Sequence, residues 1–380
     1  MKMKRLFILL FPLYSLICIQ CSVTTATGSS EAFHTIKRAG KLSTTRFEAI
    51  YQFGDSLSDT GNLIRIPGSH DPSANLPYGQ TFGRPTGRSS DGLLMVDYFA
   101  KYFHLPLVNP FLANGSNFNH GANFAVAGGT ALDAATLATR NITLRLANVS
   151  LVSQLSWFKS HLHNICCSPA ECKEKLRKSL VLVGEIGAND YNYALLQRRT
   201  MKEAYKLVPE VVNTIIHVVR EVIKLGAVNV VVPGNVAIGC VTSLLYRYGS
   251  NDSSKYDDLH CLKEHNTLSR FHNHHLIQAI KILKRENPSV AIAYGDYYSA
   301  TTWVLRHASS LGFEKDGLYK ACCGIGKNSY NFDPSRPCGS RGVTVCTNPN
   351  RRVSWDGTHL TQQSYKYMAN WLLGQFLPKL

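Results

Sequence analysis

Apolar residues follow two rhythms along the chain. Short apolar runs at 47–53, 122–127, 180–185, 228–233 and 290–294 each predict a buried strand. Between the third and fourth runs, from Val208-Pro209 to Leu225-Gly226, apolar residues stand at 211, 212, 215, 216, 218, 219, 222 and 223. That spacing fits a well-buried helix closed by Gly226. Strands alternating with helices predict an α/β fold, with a mostly parallel five-stranded sheet covered on both faces and joined by right-handed crossovers. No repeat or low-complexity linker divides the chain, so one domain over 28–380 is expected.

The beginning of the chain has a third pattern. Lys2, Lys4 and Arg5 precede the apolar stretch Leu6–Ile17, and small residues follow near Thr24 to Gly28. This is the layout of a secretory signal over 1–27, and the apolar stretch is shorter than the roughly 20 residues a membrane span needs. No later segment has the length and apolarity of a span, and the Trp371–Leu380 end is too short for a lipid-anchor signal. The mature protein is therefore expected outside the cell or in a vacuole. Sequons at Asn114, Asn141, Asn148 and Asn251 suit glycosylation along that route, whereas Pro288 excludes Asn287.

Four segments carry chemistry. The first strand runs into Phe53-Gly54-Asp55-Ser56-Leu57-Ser58-Asp59-Thr60-Gly61-Asn62, where Gly54 allows a sharp turn that leaves Ser56 at the strand's carboxyl edge. Far downstream, Trp355-Asp356-Gly357-Thr358-His359 supplies a carboxylate and an imidazole. A serine hydroxyl attacks an acyl carbon only when a base takes its proton and a third group orients that base. Each segment also has a plainer use, Asp55 or Ser56 capping a turn and Asp356 and His359 opening a solvated helix. Asn123–Thr130 ends in Gly128-Gly129-Thr130, whose backbone can approach a substrate closely. Val181–Asp190 ends a strand-like run in Gly187-Ala188-Asn189-Asp190, and a fixed amide donor such as Asn189 stabilises an oxyanion.

These segments, in this order, resemble the plant GDSL esterase/lipase family of the SGNH hydrolases. Phe82–Arg88, Val231–Asn235 with Ile238-Gly239-Cys240, and Ala321–Gly324 extend the likeness over nearly the whole mature chain. The resemblance implies a three-layer α/β/α sandwich of flavodoxin-like type. It implies Ser56 as nucleophile, His359 as base and Asp356 as its orienter. The Ser56 and Gly128 amides and the Asn189 side chain would form the oxyanion hole. His359 would lie on the loop before a last helix beginning near Thr361, carried by a disulfide-stapled loop over 319–352. The Gly-x-Ser-x-Gly elbow of α/β-hydrolases is absent, because Ser58 stands where the second glycine would be.

The remaining composition narrows partners. Of 11 cysteines, Cys18 and Cys21 fall in the signal, and the odd remainder predicts a free thiol. Cys166, Cys167 and Cys172 suit a local bridge, Cys240 can pair with Cys261, and Cys322 and Cys323 can pair with Cys338 and Cys346 in either connection. The spacings match no ordinary zinc pattern, and neither metal nor cofactor is expected. The formal charge of +16, or +13 without Lys2, Lys4 and Arg5, favours acidic surroundings such as cell-wall polysaccharide. Its basic residues are scattered, which argues against nucleic acid. His272-x-His274-His275 falls on a helical pattern with Leu268, Phe271, Leu276 and Ile280, which assigns the histidines a solvated or capping role rather than a metal.

Tyr191 and Tyr193 follow Asn189-Asp190 and are candidates to line the substrate pocket, although they equally suit core packing. The wording of this segment resembles the branch that includes acetylajmalan and sinapine esterases, which implies a small specialised-metabolite ester as substrate. An acyltransferase using the same acyl-enzyme and a lipase for long chains are the alternatives. A secreted binding protein without catalysis is disfavoured by the intact Ser56, Gly128, Asn189, Asp356 and His359. A monomer is expected.

Overall fold

The computed structural model describes residues 46–380 apart from Arg145. The expected signal over 1–27 lies outside the described residues.

Five parallel strands form the central sheet: β1 (Ala49–Gln52), β2 (Gly121–Asn123), β3 (Ser179–Leu182), β4 (Asn229–Pro233) and β5 (Ala291–Gly295), in the order β2-β1-β3-β4-β5. All five predicted strands are present; the first four are shorter than their apolar runs, and β5 keeps the length of its run shifted by one position. The run at 122–127 leaves the ladder after Asn123, and its remainder is a buried loop held by Phe124 N–H on Gln52 O at 2.7 Å and Val126 N–H on Gly54 O at 3.2 Å. Apolarity there reflects burial of a loop, which the period cannot tell from a strand.

Side chains alternate across the sheet. Tyr51, Val181, Val230, Val232 and Ile292 face one core, while Ile50, Leu180, Leu182, Val231 and Ala293 face the other. The helices are α1 (Met95–Tyr102), α2 (Ala134–Ala138), α3 (Leu151–Ile165), α4 (Pro169–Arg177), α5 (Ala188–Leu196), α6 (Met201–Leu225), α7 (Thr242–Tyr248), α8 (Lys263–Glu286), α9 (Tyr297–Arg306) and α10 (Gln362–Phe376). The first core takes α3, α6 and α8; the second takes α1, α9 and α10. This is the expected three-layer α/β/α sandwich.

Helix α6 starts earlier than its apolar period indicates. Thr200 and Glu203 form a reciprocal capping box, and the helix passes through Pro209 on its exposed side. An interior proline costs about 3 kcal/mol. Nine buried Leu, Val and Ile side chains of the same helix, at roughly 1.5 kcal/mol or more each, outweigh it. Gly226 closes the helix at φ 122°.

The histidine cluster on α8 departs from expectation. His272 is fully buried and Phe271 is exposed. The Tyr191 hydroxyl meets His272 Nδ1 at 2.8 Å and makes the buried position tolerable, and burial pushes the imidazole down to about 3, so it is neutral.

Candidate active site

The order of strands switches at β1: the path adds β2 on one side, then β3 on the other, all parallel. In open parallel sheets the crevice at the strands' carboxyl ends beside such a switch is where ligands sit. Ser56 follows β1 and Asn189 follows β3, so both lie there. Asn189 stands in the first turn of α5, after an irregular bend at 183–187, rather than at the strand's end.

The Ser56 turn is heavily restrained. The Gln154 side chain clamps Gly54, accepting from its N–H at 2.9 Å and donating to its carbonyl at 2.8 Å. Gly54 has φ 145°, and a Cβ on it would lie 2.8 Å from Glu185 Oε1, so side chain and backbone angle both require glycine. Asp59 accepts from the N–H groups of Gly61, Asn62, Leu63 and Ala127, which ties this turn to the loop carrying Gly128. Asp55 caps Leu57 N–H at 3.1 Å, the plain role open to it.

The downstream segment arrives on a cross-linked hairpin. Cys322–Cys346 and Cys323–Cys338 are bonded around the short strands β6 (Cys323–Gly324) and β7 (Thr344–Val345). Cys322 N–H donates to Ser354 O at 3.0 Å and Cys323 N–H to Trp355 O at 2.7 Å, immediately before Asp356. Cys166–Cys172 and Cys240–Cys261 complete the four bridges, and Cys167 is free and exposed. Beyond the hairpin, Thr361 caps α10, and Asp91 accepts from Gln362 N–H at 2.7 Å.

Ser56 Oγ lies 2.9 Å from His359 Nε2, and His359 Nδ1 lies 2.7 Å from Asp356 Oδ2. Asp356 Oδ1 accepts from the N–H groups of Thr358 at 2.8 Å and His359 at 2.7 Å. Burial pushes Asp356 up, yet the charge and hydrogen bond of His359 and the two N–H donors win, leaving it lowered to about 2. Burial pushes His359 down, and the Asp356 charge and hydrogen bond outweigh this and raise it above 6.5. With Nδ1–H given to the carboxylate, Nε2 is free to accept the serine proton.

Around the serine, neither Ser56 N–H nor Gly128 N–H donates to an acceptor among the described residues. Gly128 has φ 79°, with Leu146 and the Tyr193 hydroxyl where a Cβ would project. Asn189 Nδ2 donates to Asp55 Oδ2 at 3.1 Å and to Gly129 O at 3.0 Å. Its neighbour Asp190 accepts from Ala131 and Leu132 N–H, locking α5 against the Gly128 loop. Tyr193 donates to Gly128 O at 3.2 Å, at the edge of the site. Both candidate pocket tyrosines are buried in the same core; Tyr191 faces His272, whereas the Tyr193 hydroxyl reaches the Gly128 loop.

Two residues of the surroundings, Gln154 and Tyr78, carry no local sequence signal, and Glu185 lies within the Val181–Asp190 segment without a role read from it. The Tyr78 hydroxyl donates to Asp356 Oδ2 at 2.8 Å, and Glu185 Oε1 accepts from Asp55 N–H at 3.2 Å. Burial, then the neighbouring Asp55, push the Glu185 carboxyl well above the usual range, and burial brings Asp55 up to about 6. Burial thus favours the protonated form of Glu185, beside an Asp55 that contacts Asn189.

Comparison with known proteins assigns the class. The description GDSL-like Lipase/Acylhydrolase matches residues 50–372, and the chain belongs to that family. It is a carboxylic ester hydrolase acting on small-molecule esters. Among similar proteins, acetylajmalan esterase of Rauvolfia serpentina is 46% identical over 330 residues, covering 86% of this chain and 85% of its own. Acetylajmalan esterase 1 of the same plant is 44% identical, covering 88% of each. A GDSL esterase/lipase of Arabidopsis thaliana is 43% identical, covering 88% of this chain and 92% of its own. No helix among the described residues is long and apolar enough to cross a membrane.

Proposed function

We propose that the protein hydrolyses a small specialised-metabolite ester, bearing an acetyl or phenolic acyl group, through a Ser56–His359–Asp356 triad and an acyl-enzyme. The observation that carries the reading is the 2.9 Å contact between Ser56 Oγ and a His359 ring whose other nitrogen is held by Asp356. His359 takes the Ser56 proton as Oγ bonds to the ester carbon. The tetrahedral oxyanion is met by Ser56 and Gly128 N–H, and by Asn189 Nδ2 once one of its present bonds yields. His359 then protonates the departing alcohol, and water activated by the same ring releases the acid and returns the proton to Ser56.

The substrate reading rests on the names of two relatives, acetylajmalan esterases, and on a small apolar cavity. The cavity, about 50 Å³, is lined by Leu57, Val241, Leu305, Thr358 and Leu360 among others, so the neighbours of Ser56 and His359 form part of its wall. It suits a short acyl group better than a long chain. Secretion through a cleaved signal at 1–27, a single domain over 28–380, and glycosylation at Asn114, Asn141, Asn148 and Asn251 complete the proposal. The four disulfides and the exposure of all four asparagines support it.

The test is a mass-spectrometric screen of source-tissue extracts with active and Ser56→Ala enzyme. Esters consumed only by active enzyme name the substrate. Equal consumption by both removes Ser56 from the reaction.

A further inference from the structure

Asp356 Oδ2 has two donors. His359 Nδ1 reaches it at 2.7 Å and the Tyr78 hydroxyl at 2.8 Å, although Tyr78 stands 278 positions upstream. With Thr358 and His359 N–H on Oδ1, the carboxylate accepts four hydrogen bonds, two on each oxygen. Tyr78 is buried, its ring edge-on to Trp355 at 6.1 Å and packed with Cys322, Cys323 and Cys338. The hydroxyl is therefore aimed from a ring that packing holds still. Burial, then the Asp356 charge, push the phenol well above 10, so it keeps its proton throughout the working range.

We propose that Tyr78 is a positioning residue of the hydrolytic site: by donating to the Asp356 oxygen that also holds His359, it fixes the carboxylate's orientation and shares its charge. The inference rests on the triad reading above. A carboxylate already engaged by a neutral donor stabilises an imidazolium less than one facing the imidazole alone. Tyr78 therefore keeps more His359 in its basic form near neutral pH. The other ionisable groups here are Asp71 and Asp55, which act on His359, and Tyr365, which feels Asp356, Glu185 and Asp55. Removing one hydroxyl leaves each of them in place.

The test is Tyr78→Phe in the full chain, which keeps the ring against Trp355. The pH dependence of kcat/KM is measured on nitrophenyl acetate, with enzyme counted by fluorophosphonate titration. The acid limb is expected to move up by about half a pH unit, the scale of one shared hydrogen bond to a charged group. At neutral pH kcat should fall several-fold with KM unchanged. A limb that stays in place overturns the proposal, because a purely structural role lowers the titratable amount without moving it. If too little variant folds, wild-type chain labelled with fluorotyrosine carries a stronger donor at the same place. Its limb is expected to move down, and an unmoved limb again overturns the proposal. In an Asp356→Asn background, Tyr78→Phe should change nothing further; an undiminished effect there shows that Tyr78 does not act through Asp356. Full activity in Ser56→Ala would bring down the triad reading itself, whereas an inactive Ser56→Ala with an unmoved Tyr78→Phe limb removes only Tyr78.

Discussion

Ser56 Oγ and His359 Nε2 stand 2.9 Å apart across 303 positions of chain. The contact joins the turn after the first strand to the bend before the last helix, and both ends are restrained independently. Gln154 and Asp59 hold one, the paired disulfides hold the other. In the proposed triad the hydroxyl and ring act as a unit, so Ser56→Ala and His359→Ala should each lower kcat by about 10⁴-fold or more, and the double variant should be little worse than either. Single-variant and double-variant kinetics on a nitrophenyl ester check this. A multiplicative loss in the double variant would mean that the two groups act separately.

The acid limb of the same reaction should follow His359. As the proposed base, His359 works only when neutral, and Asp356 raises its pKa above 6.5, so kcat/KM should fall with decreasing pH from a midpoint above that value. Asp356→Asn removes the charge that raises it, and burial then dominates. Its midpoint should move down while the maximal rate drops steeply, the pattern that separates loss of charge from loss of fold.

Glu185 leads to a prediction with the opposite dependence. Its carboxyl is raised in the fold, so between its unfolded value near 4.5 and its folded value the native state binds more protons than the unfolded chain. Its contribution is fully present below about 4.5 and is lost as pH rises from there. Glutamine reproduces the protonated acid, accepting from Asp55 N–H and donating to the Asp55 carboxyl. Glu185→Gln should keep activity within a few-fold and gain in relative thermal stability as pH rises from 5 to 8. Melting curves across that range decide it, and a variant that loses ground with rising pH would show that Glu185 is ionised in the fold.

What could be read from the chain follows the range of the interactions. Ser56, Asp356 and His359 sit in short segments whose residue types match the proposed reaction chemistry, and all five strands are marked by local apolarity. The cysteine pairs at 322, 323, 338 and 346 were narrowed to two connections, of which geometry selects Cys322–Cys346 and Cys323–Cys338. Tyr78 and Gln154 were invisible because each meets its partner only after the chain has closed over a hundred or more positions. His272 departs from its helical pattern for the same reason: its burial depends on Tyr191, on another helix, whereas Phe271 finds Tyr205 at the surface, ring centroids 5.1 Å apart. Local periodicity cannot register a partner supplied by another element.

The small cavity beside the site leads to a prediction about acyl length. Leu305 lines it from α9 and Val241 from the segment after β4. Leu305→Ala would enlarge it but costs about 2–5 kcal/mol of stability at a buried site. Val241→Ala removes less from a partly exposed position and is the cleaner variant. The ratio of kcat/KM for butyryl over acetyl nitrophenyl esters should rise several-fold in Val241→Ala, with the acetyl rate little changed. An unchanged ratio would detach this cavity from the acyl group.

The four disulfides should differ in what they do for catalysis. Cys166–Cys172 closes six positions at the end of α3, away from the triad. Cys322–Cys346 closes 24, and the Cys322 and Cys323 N–H groups grip Ser354 and Trp355 just before Asp356. In the chain-entropy picture the longer loop contributes about 3 kcal/mol or more, and here loosening it also frees the backbone that aims Asp356 and His359. Replacing Cys166 and Cys172 by serine should leave kcat near wild type. Replacing Cys322 and Cys346 should lower both melting temperature and kcat, by tenfold or more in the latter. Measuring kcat per fluorophosphonate-titrated site separates a distorted triad from a smaller folded fraction, and equal kcat per site in both double variants would mean that the hairpin stabilises the chain without aiming the histidine.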